Sequence, residues 1–369
     1  MSKPPKENRV LLFSQRNLYE PEVWRCPFNE FEKIVQKVDM VDLVAPKPTK
    51  WYQQRRNNAM RVGKYSSIAL NPGIPKTKLE KDYDLFFAVC EKPSELLNIA
   101  TVEKWKGRCK TSICWMTEFW IKEISLLKSS LRVLSEFDHV LLTFSQSIEP
   151  LRKKIGSQCS FLPSGADAIL FAPTKEAQSR PIDIYSYGRR SEQVHKTLLK
   201  IAKETGIFYI YDTLSELRSF NLRQHRLLTA NILKRSRYCI VNPGKFDVPG
   251  ESGDQSEMGT RYFEGAAAGA IMIGEQPRND EFEKRFCWPG AVIQLPDDAE
   301  GIEGIISDLD LQPDRIKQIR KNNLIHSFMH NDWIYRWEEV LKIAGLETTP
   351  AMEERKERLK EIADNMEIQ

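Results

Sequence analysis

Short runs of β-branched and aromatic residues alternate with longer helical patterns along nearly the whole chain, and this alternation leaves few folds open. Continuous apolar strands need cover on both faces, and the helical stretches between them supply it, which is the grammar of parallel α/β sheets. In the first half, strand candidates fall at 10–13, 38–44, 83–89, 111–116, 140–144 and 159–162, with helices expected at 28–37, 94–100 and 121–131. The stretch 47–61, with Trp51, Tyr52, Arg55 and Arg56, matches neither period well and is expected to be an exposed loop or helix.

Pro163-Ser164-Gly165-Ala166-Asp167, followed by Phe171-Ala172-Pro173, is a turn-rich break after which the alternation begins again. Strands are expected at 182–187, 208–211, 238–241, 270–273 and 292–295, and helices at 192–204, 222–234 and 313–329. At 369 residues the chain has room for two domains, each with its own core. The expected organisation is a Rossmann-like domain over 1–168, a second over 169–332, and closing helices over 333–369 that dock on a domain surface.

Composition narrows the function classes. With 55 Lys and Arg against 51 Asp and Glu, the net charge of +4 gives no argument for nucleic acid. The seven cysteines are odd in number, scattered and mostly inside apolar runs, and no C-x-x-C pair exists, so they read as reduced thiols. A Lys/Pro-rich start at 1–9, followed by only a short apolar segment, is expected to be neither a secretory signal nor a membrane span, which points to the cytosol. No G-x-G-x-x-G follows the first strand, against a tightly bound nicotinamide or flavin dinucleotide.

The densest chemistry lies at 250–274, GESGDQSEMGTRYFEGAAAGAIMIG, where a polar loop feeds a small-residue helix and then a buried strand. Unpaired N–H groups and the positive end of the helix dipole make Gly259 and Thr260 a candidate phosphate cradle. Glu264, close behind, suits the paired hydroxyls of a ribose; alternatively it balances the dipole or pairs with Arg261. Gly265 to Gly269 let the helix approach a sheet closely. If Glu264 serves a ligand, its replacement by alanine is expected to weaken binding and leave the thermal midpoint nearly unchanged.

This stretch resembles the R-x-F-E-x-x-A-x-G signature in the C-terminal domain of GT-B glycosyltransferases, especially the CgeB-like and family 1/4-like groups; it is similar, more weakly, to the R-x-x-E-x-x-x-x-G element of exostosin-type domains. The resemblance implies a GT-B fold: two Rossmann-like domains facing across a cleft, N-terminal for the acceptor and C-terminal for the donor, with the last helices crossing back. It implies transfer of a sugar from a nucleotide-diphosphate sugar to a carbohydrate or other hydroxyl acceptor, without nucleic acid, integral membrane segment, tightly bound cofactor or metal. Glu264 would grip the ribose, with Gly259, Thr260 and Arg261 bordering phosphate or sugar. One departure stands out. Family 4 enzymes carry two glutamates eight positions apart, and the position eight before Glu264 is Ser256, with Glu257 displaced by one. A nucleotide-binding or assembly protein without transfer, or a nucleotide-sugar epimerase, is therefore kept as the alternative.

In open parallel sheets ligands lie beyond the carboxyl ends of strands, so residues just after strands are the other candidates. Ser14, Gln15 and Arg16 would serve the acceptor side. Glu118, among Trp115, Phe119 and Trp120, is the candidate general base, because burial there would raise its pKa; capping of the next helix is the other reading. Gly188 would let the backbone approach a diphosphate, with Arg189, Arg190 and Lys196 supplying positive charge. Tyr211, Asp212 and Asn242 complete the donor side. Asp308-Leu309-Asp310 imitates a D-x-D metal motif but lies at the end of an amphipathic helix and reads as surface carboxylates. His326 and His330 have the i, i+4 spacing of two metal ligands, but no third ligand is evident; His195 and His225 read as ordinary helix residues.

Overall fold

The protein is described by a computed structural model at residues 8–19, 22–173, 179–212, 221–295 and 301–367. The start of the Lys/Pro-rich segment, 1–7, lies outside the described residues. The chain divides into two compact units. The first comprises Met1–Pro21, Glu32–Pro163 and Arg336–Glu353; the second comprises Glu22–Phe31, Ser164–Tyr335 and Glu354–Gln369.

In the first unit the strands are β1 (Val10–Phe13), β2 (Val41–Val44), β3 (Thr77–Lys78), β4 (Tyr83–Cys90), β5 (Val102–Glu103), β6 (Cys109–Met116), β7 (His139–Leu142) and β8 (Gln158–Phe161). Six form one parallel sheet in the order β2-β1-β4-β6-β7-β8, and β3 pairs with β5 separately. The central strand β4, Tyr-Asp-Leu-Phe-Phe-Ala-Val-Cys, is almost wholly buried because helices cover both of its faces. Phe86 stacks on Phe137, and both rings meet Trp105 at 4.9 Å. The uncommitted stretch 47–61 resolves into a helix, Tyr52–Tyr65. The helix expected over 121–131 is instead a 3-10 turn, Ile121–Glu123, and a helix at Lys128–Leu134.

In the second unit, β9 (Ile182–Ser186), β10 (Tyr209–Tyr211), β11 (Ser236–Val241), β12 (Ile271–Gly274) and β13 (Ile293–Gln294) form a parallel sheet in the order β10-β9-β11-β12-β13. This is a doubly wound order whose direction reverses between β9 and β11. The helix Thr260–Ala267 lies close on the sheet because Gly265 has no side chain. A Cβ there would stand 2.9 Å from the Cys239 sulfur and 3.0 Å from Met272.

The division falls at Pro163 because the next residues are tied into the second unit. The Ala166 N–H donates to the Asn331 carbonyl, the Trp333 N–H to the Ala166 carbonyl, and the Ala168 N–H to Asp332. The closing helices are divided as well. Trp337 donates to Asp39 inside the first unit, whereas Arg355 pairs with Asp332 and Asp167 inside the second. No described helix is long and apolar enough to cross a membrane.

All seven cysteines are free thiols, and only Cys287 is exposed. Burial pushes the Cys239 thiol up to about 12 and Cys159 up to about 11, which removes the reactive thiolate at neutral pH. Native protein at pH 7.5 is expected to show one fast thiol with Ellman's reagent, and Cys287→Ser is expected to abolish that phase. Several fast thiols would contradict the burial described here.

Candidate functional site

The reversal between β9 and β11 places Tyr187 and Gly188 after one strand and Asn242 after the other, at the edge where doubly wound sheets bind ligands. From Asn242 the chain runs through a loop to Gly259, which caps the helix Thr260–Ala267 in an extended conformation without a side-chain hydrogen bond. Buried Asn242 aims an amide nitrogen at no partner among the described residues. A buried donor left unsatisfied costs about 1–3 kcal/mol, a cost that a ligand acceptor removes.

Glu264 is 2% exposed and pairs with Arg226 at 2.5 Å, not with Arg261. Its other oxygen accepts from the Tyr187 hydroxyl at 2.7 Å. Arg226, buried against the Phe171 ring, also holds Glu30 through two hydrogen bonds of 2.9 and 3.1 Å. Glu30 in turn accepts from the Trp333 indole at 2.8 Å and the Asp167 N–H at 3.0 Å. Nothing in the local sequence of the helix at 222–234 signals Arg226. Its partners lie 38 and 196 residues away, so only the fold brings them together.

The electrostatics follow from burial. For Glu30 the loss of water outweighs Arg226 and holds its carboxyl above the usual range. For Arg226 burial acts downward, but Glu30 and Glu264 outweigh it and keep the guanidinium charged. Burial and then Glu264 push the Tyr187 hydroxyl well above its ordinary value, so Tyr187 remains a hydrogen-bond donor.

The cations expected at a diphosphate are differently engaged. Gly188 has φ 67°, and a Cβ there would stand 2.8 Å from the Arg261 guanidinium, which donates to the Arg189 carbonyl at 2.9 Å. Arg261 thus lies against the Gly188 turn. The Gly188 N–H itself donates to Asp212 at 2.9 Å. Arg189 pairs with Asp247, Arg190 donates to the Asp212 carbonyl and covers the Tyr211 ring, and Lys196 pairs with Glu192 in open solvent. Ser256 is buried and accepts from the Arg278 N–H at 3.1 Å.

In the first unit, Ser14 and Arg16 both engage Glu32, at 2.7 and 2.5 Å, while Gln15 accepts from Asn98 at 2.8 Å. Glu118 is half-buried and accepts from the Trp120 indole at 3.0 Å; the carboxylate at the following turn belongs to Glu123, which accepts from the Trp120 N–H. Asp310 binds Arg237 and Tyr238, and His326 stacks on Trp288 at 4.1 Å. Among the described residues no three His, Cys, Asp or Glu side chains are grouped to hold a metal.

Residues 219–342, which include Arg226 and Glu264, match a family model described as "Glycosyl transferase-like". The chain has the GT-B fold, and its residues 219–342 are similar to glycosyltransferases. Solved structures of low identity share this fold. An α-glucosyltransferase in complex with UDP-glucose and DNA containing an abasic site superposes with a TM-score of 0.58 at 12% identity, over 91% of this chain and 99% of that one. Anabaena HepE in complex with UDP and glucose gives 0.52 at 9% identity, with the same coverage. No curated protein matches the sequence significantly.

Breaking a buried ion pair by removing one partner costs about 3–5 kcal/mol. Because Glu264 is enclosed, Glu264→Ala is expected to lower stability as well as binding, contrary to the behaviour expected of a ligand-facing carboxylate. Arg226→Met, which strands two acids, is expected to cost about 3–5 kcal/mol in urea unfolding. A loss below about 1 kcal/mol would mean that the network is solvated and not structural.

Proposed function

We propose that the protein transfers a sugar from a uridine-diphosphate sugar to a hydroxyl acceptor, with the donor seated beyond the carboxyl ends of β9 and β11. The observation that carries this reading is the convergence of Gly188, Asn242, the Gly259–Thr260 helix start and Glu264 at that one edge. Two of the roughly four lone-pair sites of Glu264 are taken by Arg226 and Tyr187, which orients the remainder for ribose hydroxyls. Asn242 would donate to the nucleotide. Arg261, and with it Arg189, Arg190 and Lys196, would stabilise the diphosphate as it departs. Solved structures of the same fold hold UDP or UDP-glucose, which supports uracil as the base. Glu118 is retained as the acceptor-side proton acceptor, with Ser14, Gln15 and Arg16 around the acceptor.

Calorimetric titration with UDP, ADP, GDP and UDP-glucose tests the donor site. UDP and UDP-glucose are expected to bind, Asn242→Ala is expected to weaken them about tenfold by loss of one buried hydrogen bond, and EDTA is expected to change nothing. Failure of every nucleotide to bind would refute the donor reading. Ser256, buried where a first glutamate would stand, favours the second reading of a nucleotide-binding protein without transfer. Release of UDP from UDP-glucose, slow without acceptor and faster with carbohydrate or DNA acceptors, separates a transferase from a binder; interconversion of free donors would mark an epimerase.

A further inference from the structure

Between Asp42 and Glu80 the chain has no acidic residue and eight basic ones: Lys47, Lys50, Arg55, Arg56, Arg61, Lys64, Lys76 and Lys78. Removing these eight from the net charge of +4 leaves the rest of the chain at −4, so the near-neutral total conceals a strongly basic segment. The same stretch concentrates exposed apolar surface. Of twelve large hydrophobic residues exposed among the described residues, five lie at 51–70: Trp51 at 60%, Val62 at 39%, Tyr65 at 75%, Ile68 at 60% and Leu70 at 40%.

The helix Tyr52–Tyr65 is a fixed platform for these groups. It buries Tyr52, Ala59 and Gly63 on one side, and Arg56 folds inward to donate to Ser94 at 2.9 Å. Arg61 and Tyr65, one turn apart, lie on the opposite side. Lys47, Lys50, Arg55, Arg61 and Lys64 are exposed, and none of them pairs with a described acid. Lys76, by contrast, is spent on Glu103.

We propose that this surface of the first unit binds a bilayer carrying anionic lipid headgroups, lying on the membrane without crossing it. Charge complementarity selects an anionic partner, and each Lys or Arg near such a surface contributes about a fivefold gain in binding. The apolar groups select lipid over nucleic acid. Aliphatic Val62, Ile68 and Leu70 can neither stack on a base nor contact a phosphate, but they fit an acyl boundary, and Trp51 and Tyr65 have the amphipathic rings that settle at headgroup level. The donor site plays no part in this surface, and either can fail alone.

Sedimentation of the full chain with vesicles of phosphatidylcholine, alone or with about one-third phosphatidylglycerol, tests the proposal. Binding is expected only to the anionic vesicles. Arg55→Glu/Arg61→Glu/Lys64→Glu is expected to reduce it at least about tenfold, and Lys47→Glu/Lys50→Glu gives a second charge test outside the helix. The control Lys200→Glu/Lys203→Glu, on an exposed face of the second unit, is expected to leave binding unchanged. Trp51→Ser/Ile68→Ser, which retains every charge, is expected to reduce vesicle binding several-fold while UDP titration remains as in the parent. No binding to anionic vesicles, equal binding to neutral ones, or binding to duplex DNA in place of vesicles would overturn the proposal.

Discussion

One guanidinium, that of Arg226, ties together elements that the sequence keeps far apart. Glu30 reaches it from the segment 22–31 and Glu264 from the helix Thr260–Ala267, while Arg226 itself rides on the helix Leu222–Leu233. Two acids and one base out of water cannot all keep full charge cheaply, and the upward push on Glu30 relieves the imbalance. Trp333 and the Asp167 backbone satisfy the Glu30 oxygens further, so the joint between Ser164 and Asp167 is secured by the same group that orients Glu264.

This arrangement fixes Glu264 on two sides. It is a structural partner of Arg226 and, through Tyr187, a fixed point at the end of β9 where a ligand would lie. A carboxylate held on two sides would lose little entropy on meeting a ribose in the proposed donor site, which is the advantage of preorganisation. On the proposed donor reading, binding and stability would be coupled at this one residue. Gly188 is fixed in the same way: its positive φ and missing side chain admit Arg261, and its N–H is held by Asp212, so the turn is shaped without a ligand.

Several expectations rested on local pattern and fared according to how local their physics was. The strands at 10–13, 83–90 and 238–241, and the tight Gly265 packing, follow from apolar runs and small side chains in sequence. The helix at 121–131 fails because its apolar spacing is broken by a turn that Glu123 caps. Ser14 and Arg16, expected on the acceptor side, are also held by Glu32, a contact that no short-range rule could assign.

The sequence alone determined the parallel α/β class, the restart after Pro163 and the signature around Glu264, because burial of apolar runs and helix-start chemistry act over a few residues. Tertiary structure alone decided what Glu264 touches, which cation meets Gly188, and where residues 22–31 and 354–367 belong. Those outcomes depend on long-range pairing of buried charges, whose cost is set by the enclosure that folding creates.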